Sequence, residues 1–434
     1  MTQLPVTPLK VGIAGLGTVG AGVVRLLQEN AALITARAGR PITVTAVSAR
    51  NRSRDRGLPL SGLTWHEAPL SLADDPDVDV VVELIGGSDG PARLLVARAI
   101  ATGHPVVTAN KALLAIHGTE LAAAAEAAGV PLAYEAAVAG GIPVIKVLRE
   151  GLAANRISRV AGILNGTCNY ILTTMREEGR DFAEVLADAQ ALGYAEADPA
   201  FDVDGVDAAH KLTILAALAF GQNVDFGAVH IEGIRRVSAL DIAFAEELGY
   251  RIKLLGIAQQ TPAGVSMRVH PAMVPVKKLL AAVDGVFNAV LLEGDFSGPV
   301  FTQGRGAGAG PTASAVVADL IDIARGNHVP VWGAAQAALA PGRHVPIAAL
   351  TGAYYLRLMV VDQPGVLADV TAILRDHGIS LESMLQHGRK PGEAVPIVLV
   401  THDTIEAAIS AAIGRIATLD CVLEPPALIR IEPK

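Results

Sequence analysis

The first third of the chain alternates short apolar runs with segments in which apolar residues recur every three to four positions. The runs have the length and the composition of buried strands in a parallel sheet. They cover residues 9–14, 42–48, 78–85 and 105–108, and the helical patterns between them include residues 18–27 and 91–102. This alternation predicts an α/β fold whose Rossmann-type, doubly wound nucleotide domain spans residues 1–135.

The pattern changes after Tyr134, where a glycine-rich turn begins. The predicted elements that follow are a helix over 144–152, a strand over 158–164 and a long apolar helix over 208–220. We assign residues 136–300 to a second, α+β domain. A helix over 313–324 is predicted to pack back on the nucleotide domain, so that residues 301–330 complete it.

The C-terminal part of the chain reads as strand, helix, strand, strand, helix and strand. A linker rich in proline and glycine, residues 329–346, precedes it. The predicted strands are 354–361, 379–386, 394–401 and 421–431, and the predicted helices are 366–374 and 405–416. Residues 350–434 are therefore predicted to form a separate βαββαβ module.

Composition excludes several classes of protein. Mean hydropathy is high at +0.42, yet charges, prolines or glycines interrupt each apolar stretch before it reaches membrane-spanning length. The first eight residues lack the pattern of a secretory signal. Only two cysteines occur in 434 residues, which favours a reducing cytoplasm over a disulfide framework or a zinc cluster. The net charge of −8 argues against general nucleic-acid binding.

A glycine-rich motif follows the first predicted strand. Gly15, Gly17 and Gly20 form Gly-x-Gly-x-x-Gly, with Thr18 and Val19 between the second and third glycines. In this position the glycines permit a tight turn, close approach to a pyrophosphate and close helix packing. The motif predicts a dinucleotide site, although a purely structural glycine turn would give the same letters.

The second predicted strand lacks the terminal acid that would hold the ribose 2′-hydroxyl of NAD. It ends at Ser48 and is followed by Arg50, Arg52, Arg54 and Arg56. Guanidinium groups match phosphate oxygens, so the run favours NADP, with Arg50 as the arginine nearest the strand. The other three arginines are interpreted as a solvated basic loop.

Acidic residues crowd a loop that opens into the apolar helix over 208–220. Asp207 and Lys211 fall at i and i+4 on one helix face, and Glu196, Asp198, Asp202 and Asp204 precede them. Together they predict a site for an amino-acid substrate. The alternative is an ordinary helical ion pair with a polar lead-in.

These segments resemble the homoserine dehydrogenase family across roughly residues 9–326, and residues 350–432 resemble an ACT domain, the amino-acid-sensing module of metabolic enzymes. Independent motifs agree in order: residues 15–20, 108–111, 135–143, 162–167, 193–211 and 247–253. The resemblance implies interconversion of L-aspartate 4-semialdehyde and L-homoserine in threonine, methionine and isoleucine biosynthesis, with NADP as the cofactor and NAD as the alternative. No kinase-like region precedes residue 9, as in the monofunctional form.

The resemblance also implies roles for individual residues. Glu196, Asp202 and Asp207 would hold the polar groups of the substrate, and Lys211 would be the acid-base group. Lys111 would lie beside the nicotinamide and could share that role, so the sequence leaves open which lysine transfers the proton. The residues that would line the cofactor are Gly15, Gly17, Thr18, Val19, Gly20, Arg50, Ser88, Lys111 and the loop 306–310, including Gly308. A sodium ion would be held mostly by backbone carbonyls of Glu135, Val138, Gly140 and Ile142, unless the turn needs no ion.

Regulation and assembly follow from the same resemblance. The module implies an amino-acid effector, most simply threonine, bound near the turn Asp362-Gln363-Pro364-Gly365. The resemblance also implies that residues 136–300 form the substrate-binding and dimerisation domain, so a homodimer or a homotetramer is expected, with no membrane or nucleic-acid partner. Cys168 stands where the family is expected to carry threonine or serine.

Two other classes of function remain open at the level of the sequence. A semialdehyde dehydrogenase would form a thioester on a cysteine, for which Cys168 is the only plausible nucleophile. A non-catalytic sensor would combine a nucleotide-binding fold with the C-terminal module. Such a sensor would not need Lys111, Asp207 and Lys211 together.

Overall fold

The structure is a computed structural model that describes residues 7–388 and 391–433. Most of the segment from which the absence of a secretory signal is predicted, residues 1–6, lies outside the described residues, as does the last residue of the C-terminal module. Within the described ranges no helix is both long and apolar enough to cross a membrane.

A six-stranded parallel sheet forms the nucleotide region, as the sequence predicts. Its spatial order is β3-β2-β1-β4-β5-β6, and the crevice outside the carboxyl ends of such strands is where open α/β sheets bind ligands. The strands are β1 (Leu9–Ala14), β2 (Ile42–Ser48), β3 (Thr64–His66), β4 (Val80–Glu83), β5 (Val106–Thr108) and β6 (Leu132–Ala133).

Helices cover both faces of this sheet. They are α1 (Thr18–Glu29), α2 (Ala31–Ala38), α3 (Pro91–Ala101) and α4 (Lys111–Ala128), and α11 (Ala309–Ala324) returns from far along the chain. The predicted packing of this late helix on the nucleotide region is confirmed, because a Cβ on Gly22 of α1 would come within 2.8 Å of the Ala309 carbonyl. The helix begins four residues earlier than the sequence predicts.

The remaining strands belong to one eleven-stranded sheet. Its main path is β12-β11-β7-β9-β10-β17-β13-β15-β14, with β8 paired to β10 and β16 paired to β13. The strands are β7 (Ile157–Ile163), β8 (Val229–Ile231), β9 (Tyr250–Thr261), β10 (Gly264–Pro275), β11 (Phe287–Gly294), β12 (Gly298–Arg305), β13 (Thr351–Val361), β14 (Leu381–Leu385), β15 (Ala394–Thr401), β16 (Thr404–Ile405) and β17 (Ala427–Ile431).

Helices α5 to α10 belong to the same region as the first half of this sheet, which α6, α9 and α10 contact directly, and two helices belong to the C-terminal half. They are α5 (Val144–Lys146), α6 (Gly166–Glu178), α7 (Phe182–Ala191), α8 (Ala200–Val203), α9 (Val206–Phe220), α10 (Ala239–Glu247), α12 (Val366–Asp376) and α13 (Glu406–Ile416). The predicted single helix over 144–152 is wrong in detail: α5 is one short turn that continues as a π-type turn over Val147–Gly151.

The C-terminal module has the predicted βαββαβ order, but it is not detached from the rest of the chain. Its strand β17 pairs in parallel with β10, so that the substrate region and the module share one sheet. The linker is packed as well: Trp332 is buried against Tyr134, and Val345 donates its backbone N–H to the Val265 carbonyl at 2.9 Å. Tertiary contacts therefore join both the linker and the module to the rest of the chain.

Several predicted strands are shorter in the structure. The run 78–85 gives strand only over Val80–Glu83, since Ile85 and Gly86 turn to bond the Glu83 side chain. The run 421–431 gives strand only over Ala427–Ile431. Consecutive prolines, Pro425 and Pro426, explain the late start, because proline cannot donate to a ladder.

Candidate active site

Two lysines that are 100 residues apart in sequence meet at one buried carboxylate. Asp207, in the first turn of α9, contacts Lys211 Nζ through Oδ2 at 2.7 Å and Lys111 Nζ through Oδ1 at 3.1 Å. Lys111 begins α4 of the nucleotide region, directly after β5, whereas Asp207 and Lys211 belong to the substrate region. The pairing of these three residues therefore crosses the cleft between the two regions.

Lys211 is held on two sides. It is 8% exposed, and its Nζ donates to the Leu164 carbonyl at the end of β7 at 2.8 Å as well as to Asp207. An ammonium carries three hydrogens, so one remains for a further acceptor. Lys111 is more open, with 35% of its side chain exposed and its Nζ 5.6 Å from the centre of the Phe201 ring.

Asn165 organises the acids and was given no role by sequence reasoning. Its Nδ2 donates to Asp202 Oδ1 and to Asp207 Oδ2, both at 2.8 Å, while its Oδ1 caps α6 by accepting the Cys168 N–H at 2.8 Å. The signal for it was local: Asn followed by Gly-Thr before a helix is a typical N-cap. The cap fixes the amide so that it faces both carboxylates.

The pKa values of the two carboxyl groups in this cluster, Asp207 and Asp202, are shifted in opposite directions. Burial alone would raise the pKa of Asp207, but the charges of Lys211 and Lys111, together with bonds from Lys211 and Asn165, hold that pKa well below its usual range. Burial and the neighbouring charge of Asp207 instead raise the pKa of Asp202. Asp207 is thus a permanent anion between two ammonium groups.

An aromatic pair borders the cluster and was also missed from sequence. His210, on α9, lies between Phe226 at 4.4 Å and Phe201 at 5.6 Å between ring centres. Burial is the largest of the causes that lower the pKa of His210 to about 4. The charges of Lys111 and Lys211 act in the same direction, and the charge of Asp207 opposes them. A neutral imidazole adds no third positive charge beside the lysines, and it packs against the ring that faces Lys111.

The predicted acids of the preceding loop do not all enter the cluster. Asp202 does, through Asn165. Glu196 is exposed, and its side chain has no hydrogen-bond partner among the residues described. Among the described residues, Asp198 accepts only the Ala200 N–H, at 3.1 Å, and Asp204 turns away to pair with Arg235.

The three motif glycines meet three different demands in the cofactor crevice. Gly15 has φ of +99°, and a Cβ there would lie 2.5 Å from the Leu84 carbonyl. A Cβ on Gly20 would lie 2.0 Å from the Gly15 carbonyl, whereas one on Gly17 would meet nothing within 4 Å. The outer glycines are therefore required by packing, and Gly17 borders open space that fits a bound pyrophosphate.

Two helix N-termini face this crevice. Gly17 caps α1, whose first residues are Thr18 and Val19, and Gly308, with φ of +117°, caps α11. The two helices touch at Gly22 and Ala309. Their unpaired N–H groups and positive dipole ends suit an anionic ligand.

The loop that carries Ser88 is shaped by a buried acid that the sequence did not indicate. Glu83, fully buried at the end of β4, accepts the N–H groups of Ile85 at 2.7 Å and Gly86 at 3.0 Å. Its other oxygen accepts the Thr108 hydroxyl at 2.6 Å. Ser88 itself is half-buried and donates its hydroxyl to Asp89 at 2.9 Å. Glu83 thus ties the ends of β4 and β5 together.

Two arginines of the run, Arg56 and Arg50, differ in whether their guanidinium groups are hydrogen-bonded. Arg56 donates to the carbonyls of Leu16, Arg54 and Asn51 at 3.0, 2.7 and 2.6 Å. Arg50 is exposed and makes no ion pair or hydrogen bond through its guanidinium within the described ranges. Arg56 is therefore structural, and Arg50 has its donors available.

The glycine-rich turn after Tyr134 has an unusual backbone. Ala139 has φ of +54°, the one positive value outside glycine in the described chain, and Gly140 follows with +46°. The Glu135 carboxylate accepts the N–H groups of Ile145 and Lys146, both at 2.9 Å, and the Glu135 N–H donates to the Asp319 carboxylate at 2.8 Å. Backbone strain of this kind is concentrated at functional sites.

The four residues predicted around sodium differ in how far they are engaged. Val138 ends the short 3₁₀ turn that Glu135 begins, and Ile142 already accepts the Val144 N–H at 2.7 Å. A Cβ on Gly140 would lie 2.4 Å from the Gly306 carbonyl, so the turn touches the loop expected at the cofactor. Burial, then the charge of nearby Asp319, raises the pKa of Glu135 to about 7.

Cys168 has a structural environment. It is fully buried in the first turn of α6, its thiol lies 3.2 Å from the Asp202 carbonyl, and burial raises its pKa well above the usual value. A thiol nucleophile needs the opposite shift. The alternative of a thioester enzyme has no support here.

The fold and the cluster define a nicotinamide-nucleotide-dependent dehydrogenase with a C-terminal ACT domain. Family models match in the same order: "Homoserine dehydrogenase, NAD binding domain" at residues 15–135, "Homoserine dehydrogenase" at 143–321 and "ACT domain" at 354–420. The chain belongs to the homoserine dehydrogenase family and is an oxidoreductase of amino-acid biosynthesis.

Two individual relatives match this chain over nearly its whole length, and a third matches about three quarters of it. Homoserine dehydrogenase of Pseudomonas aeruginosa is 51% identical, covering 98% of this chain and 99% of that protein. The crystal structure of a homoserine dehydrogenase from Thiobacillus denitrificans is also 51% identical, with a TM-score of 0.93 and coverage of 98% and 99%. A hyperthermophilic archaeal homoserine dehydrogenase solved in complex with NADPH is 25% identical, covers 73% of this chain and 97% of its own, and has a TM-score of 0.63.

Proposed function

We propose that the protein interconverts L-aspartate 4-semialdehyde and L-homoserine with NADPH and NADP⁺, using the cluster around Asp207. The observation that carries this assignment is the meeting of Lys111 and Lys211 on one buried carboxylate across the cleft. One lysine comes from the expected nicotinamide edge of the parallel sheet and the other from the substrate region. A carbonyl placed there would be within reach of two ammonium groups.

The chain's own residues supply binding, orientation and a proton. The bound nicotinamide supplies the hydride for the semialdehyde carbonyl. Lys211 has one N–H left and donates its proton to the carbonyl oxygen as negative charge develops there. Lys111 stabilises that charge, and Asp207, kept ionised, orients both lysines. Asp202, fixed by Asn165, and Glu196, from the exposed loop, receive the α-amino group of the substrate.

The preference for NADP rests on Arg50. The strand β2 ends at Ser48 without an acid, and the exposed guanidinium of Arg50 is available for a 2′-phosphate. The archaeal relative solved with NADPH is consistent with this choice. The pyrophosphate of the cofactor would lie against the glycine motif, and two further residues would line the cofactor from the facing loops. The motif residues are Gly15, Gly17, Thr18, Val19 and Gly20, and the loop residues are Ser88 and Gly308.

A sodium ion is proposed at the turn of Glu135, Val138, Gly140 and Ile142. The support is its strained backbone and the two buried carboxyls, Glu135 and Asp319, that gain from a nearby cation. The ion would brace the contact between Gly140 and the loop at Gly306. Its role is structural, and no proton passes through it.

The proposal has three further parts. Threonine regulates the enzyme through the ACT domain, the chain assembles as a homodimer or a homotetramer, and the protein is located in the cytoplasm. Both cysteines are unpaired and buried, as suits a reducing compartment. The effector test is direct: full-length enzyme is assayed with threonine, and with isoleucine and methionine in parallel, up to millimolar levels. Inhibition by threonine alone supports the assignment, and indifference to threonine refutes it.

The main experiment is oxidation of NADPH with aspartate semialdehyde, with and without phosphate and coenzyme A. Activity that needs neither addition is expected. Dependence on phosphate or coenzyme A would indicate thioester chemistry, and binding of NADPH without turnover would indicate the sensor.

A further inference from the structure

An arginine of the ACT domain is clamped between two carboxylates from different parts of the chain. Arg430, on β17, donates to both oxygens of Glu232 at 2.8 Å and to both oxygens of Glu406 at 2.6 and 2.9 Å. Glu406 begins α13 of the same domain, whereas Glu232 follows β8 of the substrate region. Side-chain exposure is 13% for Arg430 and 39% for Glu232. Bidentate pairs of this kind fix orientation as well as distance.

The backbone around Glu232 lies directly against the acidic loop of the active site. Ile234 donates its N–H to the Val203 carbonyl at 2.9 Å, and a Cβ on Gly233 would come within 2.2 Å of the same oxygen. Val203 is the neighbour of Asp202, whose carboxylate is bound by Asn165. Ile234, whose N–H makes the bond to the loop, is only two positions after the clamped Glu232.

The same segment supports the start of helix α9. Gly205 caps this helix with φ of +88°, and a Cβ there would lie 3.2 Å from the Ile231 side chain and 3.5 Å from the Glu232 carbonyl. Asp207 is two residues further on. A shift of Glu232 would therefore displace both Asp202 and the turn that carries Asp207.

We infer that Arg430 is a positioning residue for the substrate site: through Glu232 it fixes the backbone on which Asp202 and the first turn of α9 rest. The ACT domain thereby contributes to substrate affinity in the absence of any effector. This inference rests on the proposed function, since the affinity concerned is that for aspartate semialdehyde. It also means that removal of residues 350–434, a natural test of sensing, would disturb catalysis as well.

A second ion pair across the same boundary provides a matched control. Arg357, on β13, donates to both oxygens of Asp241 at 2.7 and 3.2 Å, and Asp241 is fully buried in α10. Asp241 closes a capping box with Ser238, remote in the chain from residues 202–207. Loss of Arg357 leaves a buried carboxylate without its cation, which is a large stability defect. It does not release Glu232.

The experiment compares Arg430→Met, Glu232→Gln and Arg357→Met in the full-length enzyme, with KM for each substrate, kcat and Tm. We expect Arg430→Met and Glu232→Gln each to raise KM for the semialdehyde about fivefold or more, and to leave KM for NADPH within about twofold. The double variant is expected to be no worse than the worse single variant, because both remove one interaction. Arg357→Met lowers Tm at least as much and leaves both KM values near those of the wild type.

Three outcomes overturn the inference. They are an unchanged semialdehyde KM in both Arg430→Met and Glu232→Gln, an equal rise in KM in Arg357→Met, or additive effects of the two clamp variants. A wild-type enzyme without NADPH oxidation would instead refute the proposed function. The two failures are therefore distinguishable.

Discussion

The cofactor crevice and the substrate cluster lie next to each other but are built on opposite principles. The crevice depends on absent side chains: Gly15 and Gly20 admit neighbouring backbone, and Gly17 leaves space. The cluster depends on charged side chains placed in contact, with Asp207 between Lys111 and Lys211. The glycine motif of the crevice is encoded within six consecutive residues, whereas the charge cluster needs segments from three parts of the chain.

This difference determines how each region should fail. A backbone site fails by steric exclusion, either of its own fold or of its ligand. This charge cluster should fail in chemistry first, because Asp207 contacts two lysines and keeps one cationic partner when the other is removed. Variants that separate these two kinds of failure test the comparison.

The largest effect is expected in the cluster. Lys211→Met should lower kcat about 10²-fold or more, the scale of a general acid, with KM for NADPH unchanged. Asp207→Asn should lose a similar factor because both lysines lose their anion. Steady-state kinetics measure both losses.

Lys253→Met is the matched control for this first prediction. Lys253 is another buried lysine, 1% exposed, that donates to the Val283 carbonyl at 2.6 Å and to Asp284 at 2.9 Å, away from the cluster. Its loss should lower Tm without the loss of kcat. Wild-type turnover in both Lys211→Met and Asp207→Asn would remove the cluster from the mechanism.

Substitution of two glycines of the same motif should have different effects on stability and on cofactor binding. Gly20→Ala places a methyl group 2.0 Å from the Gly15 carbonyl and should lower Tm by several degrees. Gly17→Ala meets no protein atom and should leave Tm unchanged while weakening NADPH binding about tenfold. Thermal unfolding and fluorescence titration of NADPH check the pair. Equal Tm losses in both variants would show that Gly17 is structural.

The next prediction tests whether Arg50 recognises the 2′-phosphate of the cofactor. Arg50→Ala should raise KM for NADPH about tenfold and leave KM for NADH nearly unchanged, because only NADPH carries the 2′-phosphate. Arg54→Ala, in the same exposed loop, is the control and should change neither value. If both cofactors respond equally to Arg50→Ala, this residue does not read the phosphate.

The smallest effect concerns the turn at Glu135. The pKa values of Glu135 and Asp319, about 7 and about 6, lie above the ordinary values, so the folded state binds these protons more tightly. Stability should therefore decline as pH rises from about 4 to 7. Sodium should oppose the decline and raise Tm at pH 8 by about 1–2 °C relative to choline at equal ionic strength.

Glu135→Gln tests the assignment of that slope. The variant should flatten the dependence of Tm on pH below 7 and reduce the difference between sodium and choline. A slope equal to that of the wild type would exclude Glu135 as its source.

Much of the fold was predictable because its signals are local. Strands β1 and β2, the βαββαβ order and the return of α11 follow from periodicity and turn residues, and all are confirmed. The packed linker around Trp332 and the pairing of β17 with β10 were not predictable. A proline-rich stretch gives no periodic signal, and a parallel pairing between distant strands depends on surfaces that exist only after folding.

The candidate site divides in the same way. The spacing of Asp207 and Lys211 and the position of Lys111 at a strand end were visible, so their roles could be proposed from sequence. Asn165, Glu83 and His210 were not identified, because a cap, a buried acid and a stacked imidazole look like ordinary residues in one dimension. Their importance comes from the partners that the fold brings to them.

The sequence by itself determined the class of each element and the chemistry available to it, since helix and strand periodicity, glycine spacing and i, i+4 pairs act over a few residues. Only the tertiary structure decided which charges share a site. Lys111 reaches Asp207, and Arg430 reaches Glu232, across about 100 and 200 residues of chain. The physical reason is that electrostatic contacts require proximity in space, and sequence distance says nothing about proximity until the cores have packed.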